Sequence, residues 1–184
     1  MIRRTLLALA LLAPGAAALA QTDLMVLKPI VKAVREGDDE KVRVALLKGE
    51  NPNQVDTSGQ PLLMVAVMAG QIPVVEALLK GGAIADAVDR DGYTSMIRAA
   101  ERGDVDVVEM LLARNARPDA QTRQGVTAMM VAARLGHSEV VRALLAKKAD
   151  PNKPDFTGRT ALTYARQNKR QSIEVLLRQA GGRE

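Results

Sequence analysis

Residues 89–118 read DRDGYTSMIRAAERGDVDVVEMLLARNARP, and residues 122–151 read TRQGVTAMMVAARLGHSEVVRALLAKKADP. Laid one above the other they agree at Gly92 and Gly125, Thr94 and Thr127, Met96 and Met129, Ala99 and Ala132, and Gly103 and Gly136. The pairs Val107-Val108 and Leu111-Leu112 likewise recur as Val140-Val141 and Leu144-Leu145, always 33 residues on. The step extends in both directions, through Gly59, Gly92, Gly125 and Gly158, through Ala66, Ala99, Ala132 and Ala165, and through Gly37, Gly70, Gly103 and Gly136 to Lys169. A fixed period of this size is the mark of a stacked repeat architecture. The units fall at approximately 25–55, 56–88, 89–121, 122–154 and 155–184, the first of them partial.

Each unit holds two short apolar stretches, for example Leu62 to Met68 and Val74 to Leu79, whose apolar residues form a stripe at helical spacing. The glycine between them suits a left-handed helix end that turns the chain straight back, and Pro73 suits the first turn of a second helix. The second helices end at Gly81-Gly82, Asn115 or Lys147-Lys148, and an Asp/Asn-rich segment leads to the next in-phase glycine. Asp or Thr two or three residues before that glycine predicts a projecting turn, after which Thr94, Thr127 and Thr160 are placed to cap the following helix. Aromatic residues make up only 2% of the chain, so the core is built from small aliphatic side chains, as closely stacked helices require.

Residue for residue the units resemble the ankyrin repeat, with its pattern D-x-x-G-x-T-P-L-H-x-A-A-x-x-G-x-x-x-V-V-x-x-L-L-x-x-G-A-x-x-N. The resemblance implies an all-α solenoid of about five helix-turn-helix repeats with short β-turn fingers, acting as a protein-protein interaction module. The T-P-L-H box stands here as Pro61-Leu62-Leu63-Met64, Thr94-Ser95-Met96-Ile97, Thr127-Ala128-Met129-Met130 and Thr160-Ala161-Leu162-Thr163, without its histidine. In the family that histidine ties neighbouring fingers together, so apolar contact through Met64, Ile97 and Met130 is expected to substitute and to leave the fingers looser. The first unit, lacking a finger glycine, and the last, with its polar stretch Arg166 to Gln171, read as caps.

The first twenty residues carry Arg3 and Arg4, an apolar run from Leu6 to Ala13, and Ala18-Leu19-Ala20 before Gln21, the layout of a secretory signal peptide cleaved after Ala20. The expected setting is the periplasm of a Gram-negative bacterium or the exterior, with no stable membrane insertion after cleavage and a monomeric product. No cysteine is present, so stability rests on packing. The formal charge of +5 becomes +3 without Arg3 and Arg4, and the remaining Lys and Arg alternate with Asp and Glu, which argues against a nucleic-acid partner.

Little in the chain points to catalysis. A zinc site needs several His, Cys, Asp or Glu together, and there is one histidine, His137, which follows Gly136 where the ankyrin pattern commonly carries Gly-His. Glu101, Glu109 and Glu139 have basic neighbours at helical spacing and read as exposed faces. No strand feeds a glycine-rich loop that would cradle phosphate. No catalytic residue, metal or cofactor is expected.

Recognition in a solenoid belongs to the positions that vary. By the resemblance these flank the finger glycine and end the first helix, and they supply Arg90, Asp91, Tyr93, Glu101, Arg102, Arg123, Val126, Arg134, Phe156 and Arg159 as the expected partner-binding set. Aromatics and arginines dominate interface hot spots, so Tyr93 and Phe156 are the expected anchors of an arginine-rich concave face that docks an acidic or mixed surface of a protein. Tyr164, at a helix position, reads as structural. Ankyrin-repeat proteins with signal peptides can resemble immunity proteins, so the partner is expected to be either a toxin or lipolytic effector that is neutralised, or a periplasmic enzyme that is supported.

Overall fold

The computed structural model describes residues 28–184, and the leader expected over residues 1–20 lies outside the described residues. Ten helices follow one another in five antiparallel pairs: α1 Pro29–Glu36 and α2 Asp39–Leu47, α3 Leu62–Met68 and α4 Ile72–Lys80, α5 Ser95–Arg102 and α6 Val105–Ala113, α7 Ala128–Leu135 and α8 Ser138–Ala146, α9 Ala161–Gln167 and α10 Gln171–Gln179. First helices stack on first helices and second on second, so each pair touches its own partner and the pairs on either side. Isolated antiparallel bridges, Val55 with Pro61 and Val88 with Thr94, close the bases of the first two fingers and are the sum of β-pairing among the described residues.

The helices are too short to persist alone, since isolated helices below about 12–15 residues are marginal in water. Stacking supplies the stability: one continuous apolar core runs from Ile30 to Leu177, with Leu63, Leu78, Ile97, Leu111, Met130, Leu144 and Ile173 buried in it. Met64, Ile97 and Met130, standing where the family histidine would be, are all buried.

Local chemistry sets where each element begins. The side chains of Asp56, Asp89, Thr122 and Asp155 each accept the backbone N–H groups two and four residues on, folding the finger back on itself. Thr94, Thr127 and Thr160 then accept the N–H of Ile97, Met130 and Thr163 as helix caps. Pro61 stands at the corresponding point of unit two, before a helix with no side-chain cap. Pro73 lies in the first turn of α4.

Three polar seams reinforce the stack. At the loop after each second helix, Asn53, Asp86, Asp119 and Asn152 accept the N–H of Ile84, Arg117, Asp150 and Arg183, each 31 residues on. At the turn between helices, the polar side chain of one unit covers the glycine of the unit before. His137 lies against Gly103, where a Cβ would meet its ring at 2.5 Å, and its Nε2 is 3.2 Å from the Glu101 carbonyl. Arg170 covers Gly136 and donates to the Arg134 carbonyl. In unit three that turn position holds Asp104, which is short, and Arg102 covers Gly70 instead, donating to the Met68 carbonyl while Asp104 holds its Nε.

The third seam joins the fingers, and here the expectation of looser fingers gives way. Arg123 donates its N–H to the Asp91 carbonyl and Phe156 to the Gln124 carbonyl, both at 3.1 Å. Gln121 Nε2 bridges the Gly125 and Pro154 carbonyls. Main-chain bonds, which need no particular side chain, therefore tie the last three fingers without any histidine.

Candidate functional site

The fingers and the first helices α3, α5, α7 and α9 carry the variable positions. Two polar clusters on these elements share one plan. In unit three, Asp89 at the finger base receives Arg98 from α5 at 3.3 Å, and Arg98 also holds Glu101 at 2.9 Å. The Arg98 guanidinium lies 3.8 Å from the centre of the Tyr93 ring. In unit five the two residue types are exchanged. Tyr164 on α9 donates its hydroxyl to Asp155 at 2.7 Å, and Arg159 of the finger binds the same Asp155 oxygen at 3.0 Å while lying 4.8 Å from the Tyr164 ring centre.

The reason for this exchange lies in register. Tyr93 and Arg159 occupy one repeat position, and Arg98 and Tyr164 another, so either order places a cation over a ring beside a finger carboxylate. Units two and four have Val65 and Val131 at the helix position and carry no such pair. Arg98 was not among the residues singled out from the sequence. The signal for it was available, since a guanidinium stands there in an apolar stripe otherwise filled by Val65, Val131 and Tyr164.

Asp155 is buried and makes five bonds: Thr157 N–H and hydroxyl and the Arg159 N–H on one oxygen, Tyr164 and the Arg159 guanidinium on the other. Burial alone would push its carboxyl up. The donors, led by Thr157 and Arg159, override that and hold it well below the usual carboxylate range. Burial and the bond to Asp155 push the Tyr164 hydroxyl up. The cluster is thus fixed in one charge state near neutrality, which suits a scaffold and not a proton shuttle.

The ten expected partner-binding residues divide accordingly. Arg159, Glu101 and Arg102 are engaged within the chain, and Tyr93 and Val126 are half-buried against the core. Arg90, Asp91, Arg123 and Arg134 are exposed, and among the described residues none of the four has an ion-pair partner at its side chain; Arg90 lies over Gly59 of the preceding finger. Phe156 is 72% exposed with its ring edge against Gly125. No three His, Cys, Asp or Glu side chains come together as a metal-binding group among the described residues. Among the described residues, a hollow of about 500 Å³ lies between α1 and α2 and another of about 380 Å³ between α2 and α4, both away from these residues.

Helix pairs stacked at a fixed step, with polar fingers projecting from the first helix of each pair, define a linear repeat scaffold. The chain belongs to the ankyrin-repeat family: the family model described as ankyrin repeats (3 copies) matches residues 30–122 and 114–183. Ankyrin repeats are generally protein-protein interaction modules and typically non-catalytic. No curated protein matches the chain in sequence. No helix among the described residues is long and apolar enough to cross a membrane.

Proposed function

We propose that this protein is a non-catalytic binding module, exported to the periplasm, that grips a partner protein through its fingers and first helices. The observation that carries the reading is Phe156. A ring exposed to 72% on a finger, with its edge against Gly125 of the preceding finger, contributes nothing to the core and is the type of side chain that anchors an interface. Arg90 and Arg134 add exposed cations with no ion-pair partner among the described residues. Tyr93 contributes less freely, because Arg98 already covers its ring.

The test is crosslinking in intact cells, followed by purification of a tagged chain and identification of what accompanies it. A dominant partner retained by the wild type and lost in Phe156→Ala supports the reading, and the partner's identity separates a neutralised toxin from a supported enzyme. Undiminished capture by Phe156→Ala together with Arg90→Ala and Arg134→Ala refutes the assigned face. Fractionation with a periplasmic marker tests the location separately.

A further inference from the structure

We infer that the partner presents an acidic segment to the last two repeats, and that the charge along the solenoid fixes the direction in which it docks. The inference rests on the binding-module reading and names the partner's chemistry. Over residues 122–184, twelve Lys and Arg stand against five Asp and Glu, whereas over residues 28–121 twelve stand against fifteen. The near-balanced whole therefore conceals a net of +7 in the C-terminal units and −3 in the N-terminal ones.

Most of the anions in the positive half are already committed. Glu139 pairs with Arg142, Asp155 with Arg159, and Glu174 and Glu184 with Arg166. Arg123, Arg134, Lys169 and Arg170 have no carboxylate partner among the described residues. They run from the finger of unit four, past the end of α7, to the turn between α9 and α10. At the equivalent turn of unit one the charges are matched, Glu36 and Asp38 by Lys32 and Lys41 and Asp39 by Arg43. This edge thus passes from matched charges at unit one to unmatched cations at units four and five.

That arrangement discriminates among anionic ligands. A long polyanion such as duplex DNA, or an anionic membrane, gains at units four and five and is repelled by the surplus carboxylates of units two and three, where ten Asp and Glu stand against six Lys and Arg over residues 56–121. Binding to single strands needs a row of stacking aromatics, and Phe156 is the one exposed aromatic side chain among the described residues. A protein surface acidic over a short length has no such cost, and guanidinium groups meet carboxylates bidentately. Complementary fields of this kind set orientation and association rate more than affinity.

The experiment titrates the purified, isotope-labelled protein with a short Glu/Asp-rich peptide and follows backbone NMR signals, with a Lys-rich peptide, random duplex DNA and phosphatidylglycerol vesicles as alternatives. The expected result is perturbation confined to units four and five, weakening by on the order of tenfold when salt rises from about 0.1 M to about 1 M, where the Debye length falls from about 10 Å to about 3 Å. The triple variant Arg123→Glu, Arg134→Glu, Lys169→Glu is expected to lose peptide binding with an unchanged spectrum elsewhere, since none of these side chains bonds within the described chain. Signals shifting equally in units one to three, an unaffected triple variant, or tighter binding of the DNA or the vesicles would overturn the inference. A cellular partner lost in Phe156→Ala but kept by the triple variant would overturn it too, while leaving the binding module standing.

Discussion

Replacing Asp155 by threonine separates the two jobs this residue does. Thr122 already performs the first job in unit four, accepting the N–H groups of Gln124 and Val126 through its hydroxyl at 3.2 Å each. Asp155→Thr should therefore keep the finger turn and lose only the oxygen that binds Tyr164 and the Arg159 guanidinium. A hydrogen bond to a charged group contributes about 1.5–3 kcal/mol, and a buried hydroxyl left unmatched costs about 1–3 kcal/mol. Arg159 is partly exposed and recovers water, so a loss of about 3 kcal/mol is expected, or roughly 6–12 °C in Tm for a domain of this size. Because a solenoid can melt from one end, hydrogen exchange over α9 and α10 should accompany the melt. Tyr164→Phe should cost about 2 kcal/mol in the wild type and close to nothing in Asp155→Thr, a coupling that a double-mutant cycle reads directly. The sign with pH follows from the depressed Asp155 pKa: its contribution is complete above the unfolded carboxyl value of about 3.9 and is lost as pH falls through the folded value. The gap between wild type and variant should therefore be constant above about pH 5 and narrow in acid. A Tm within about 2 °C of wild type, or additive costs in the cycle, would refute the assignment.

Lys169 has φ 55° at the turn position held by glycine in units one to four, so Lys169→Gly should raise stability by about 0.5–1 kcal/mol, the left-handed penalty less the extra freedom of unfolded glycine; chemical denaturation decides. Arg98→Met should cost about 2 kcal/mol by leaving Asp89 and Glu101 unmatched at a site only partly exposed, a loss visible in urea titration. Phe156→Ala should change folding stability by less than about 0.5 kcal/mol while abolishing partner capture. Under mild peroxide, peptide mapping should find sulfoxide first at the exposed Met68, with the buried Met64, Met129 and Met130 modified only as the stack opens and then accelerating its loss.

The repeat architecture was legible because its signals are local and recur. The finger carboxylate, capping threonine, turn glycine and Val-Val and Leu-Leu pairs each act within a few residues of themselves, and four copies in phase leave little ambiguity. What the sequence does not display acts between elements. The Asp89–Arg98 pair spans a finger and a helix, and an arginine at helical spacing looks like any solvated side chain until the finger folds over it. The seams at 31 residues join main-chain donors to side-chain acceptors, and a donor present in every residue but proline leaves no trace in the sequence. The missing histidine predicts weaker finger cohesion, whereas main-chain bonds from Arg123 and Phe156 maintain it among the last three fingers. The charge asymmetry was hidden by summation, because a near-neutral total describes equally well an even mixture and two opposed halves.

The row that begins at Asn53 runs to Arg183, whose N–H does for Asn152 what those of Ile84, Arg117 and Asp150 do in the earlier joints. Every joint in this row is made the same way, from an acceptor in one unit to a donor in the next, and no joint depends on how many precede it. Gaining or losing one whole period therefore leaves the remaining joints of this row in register, whereas an insertion of any other length within the row breaks one of them. Length along this row is a quantised variable. The reach of this row can therefore change by whole repeats without redesigning its joints.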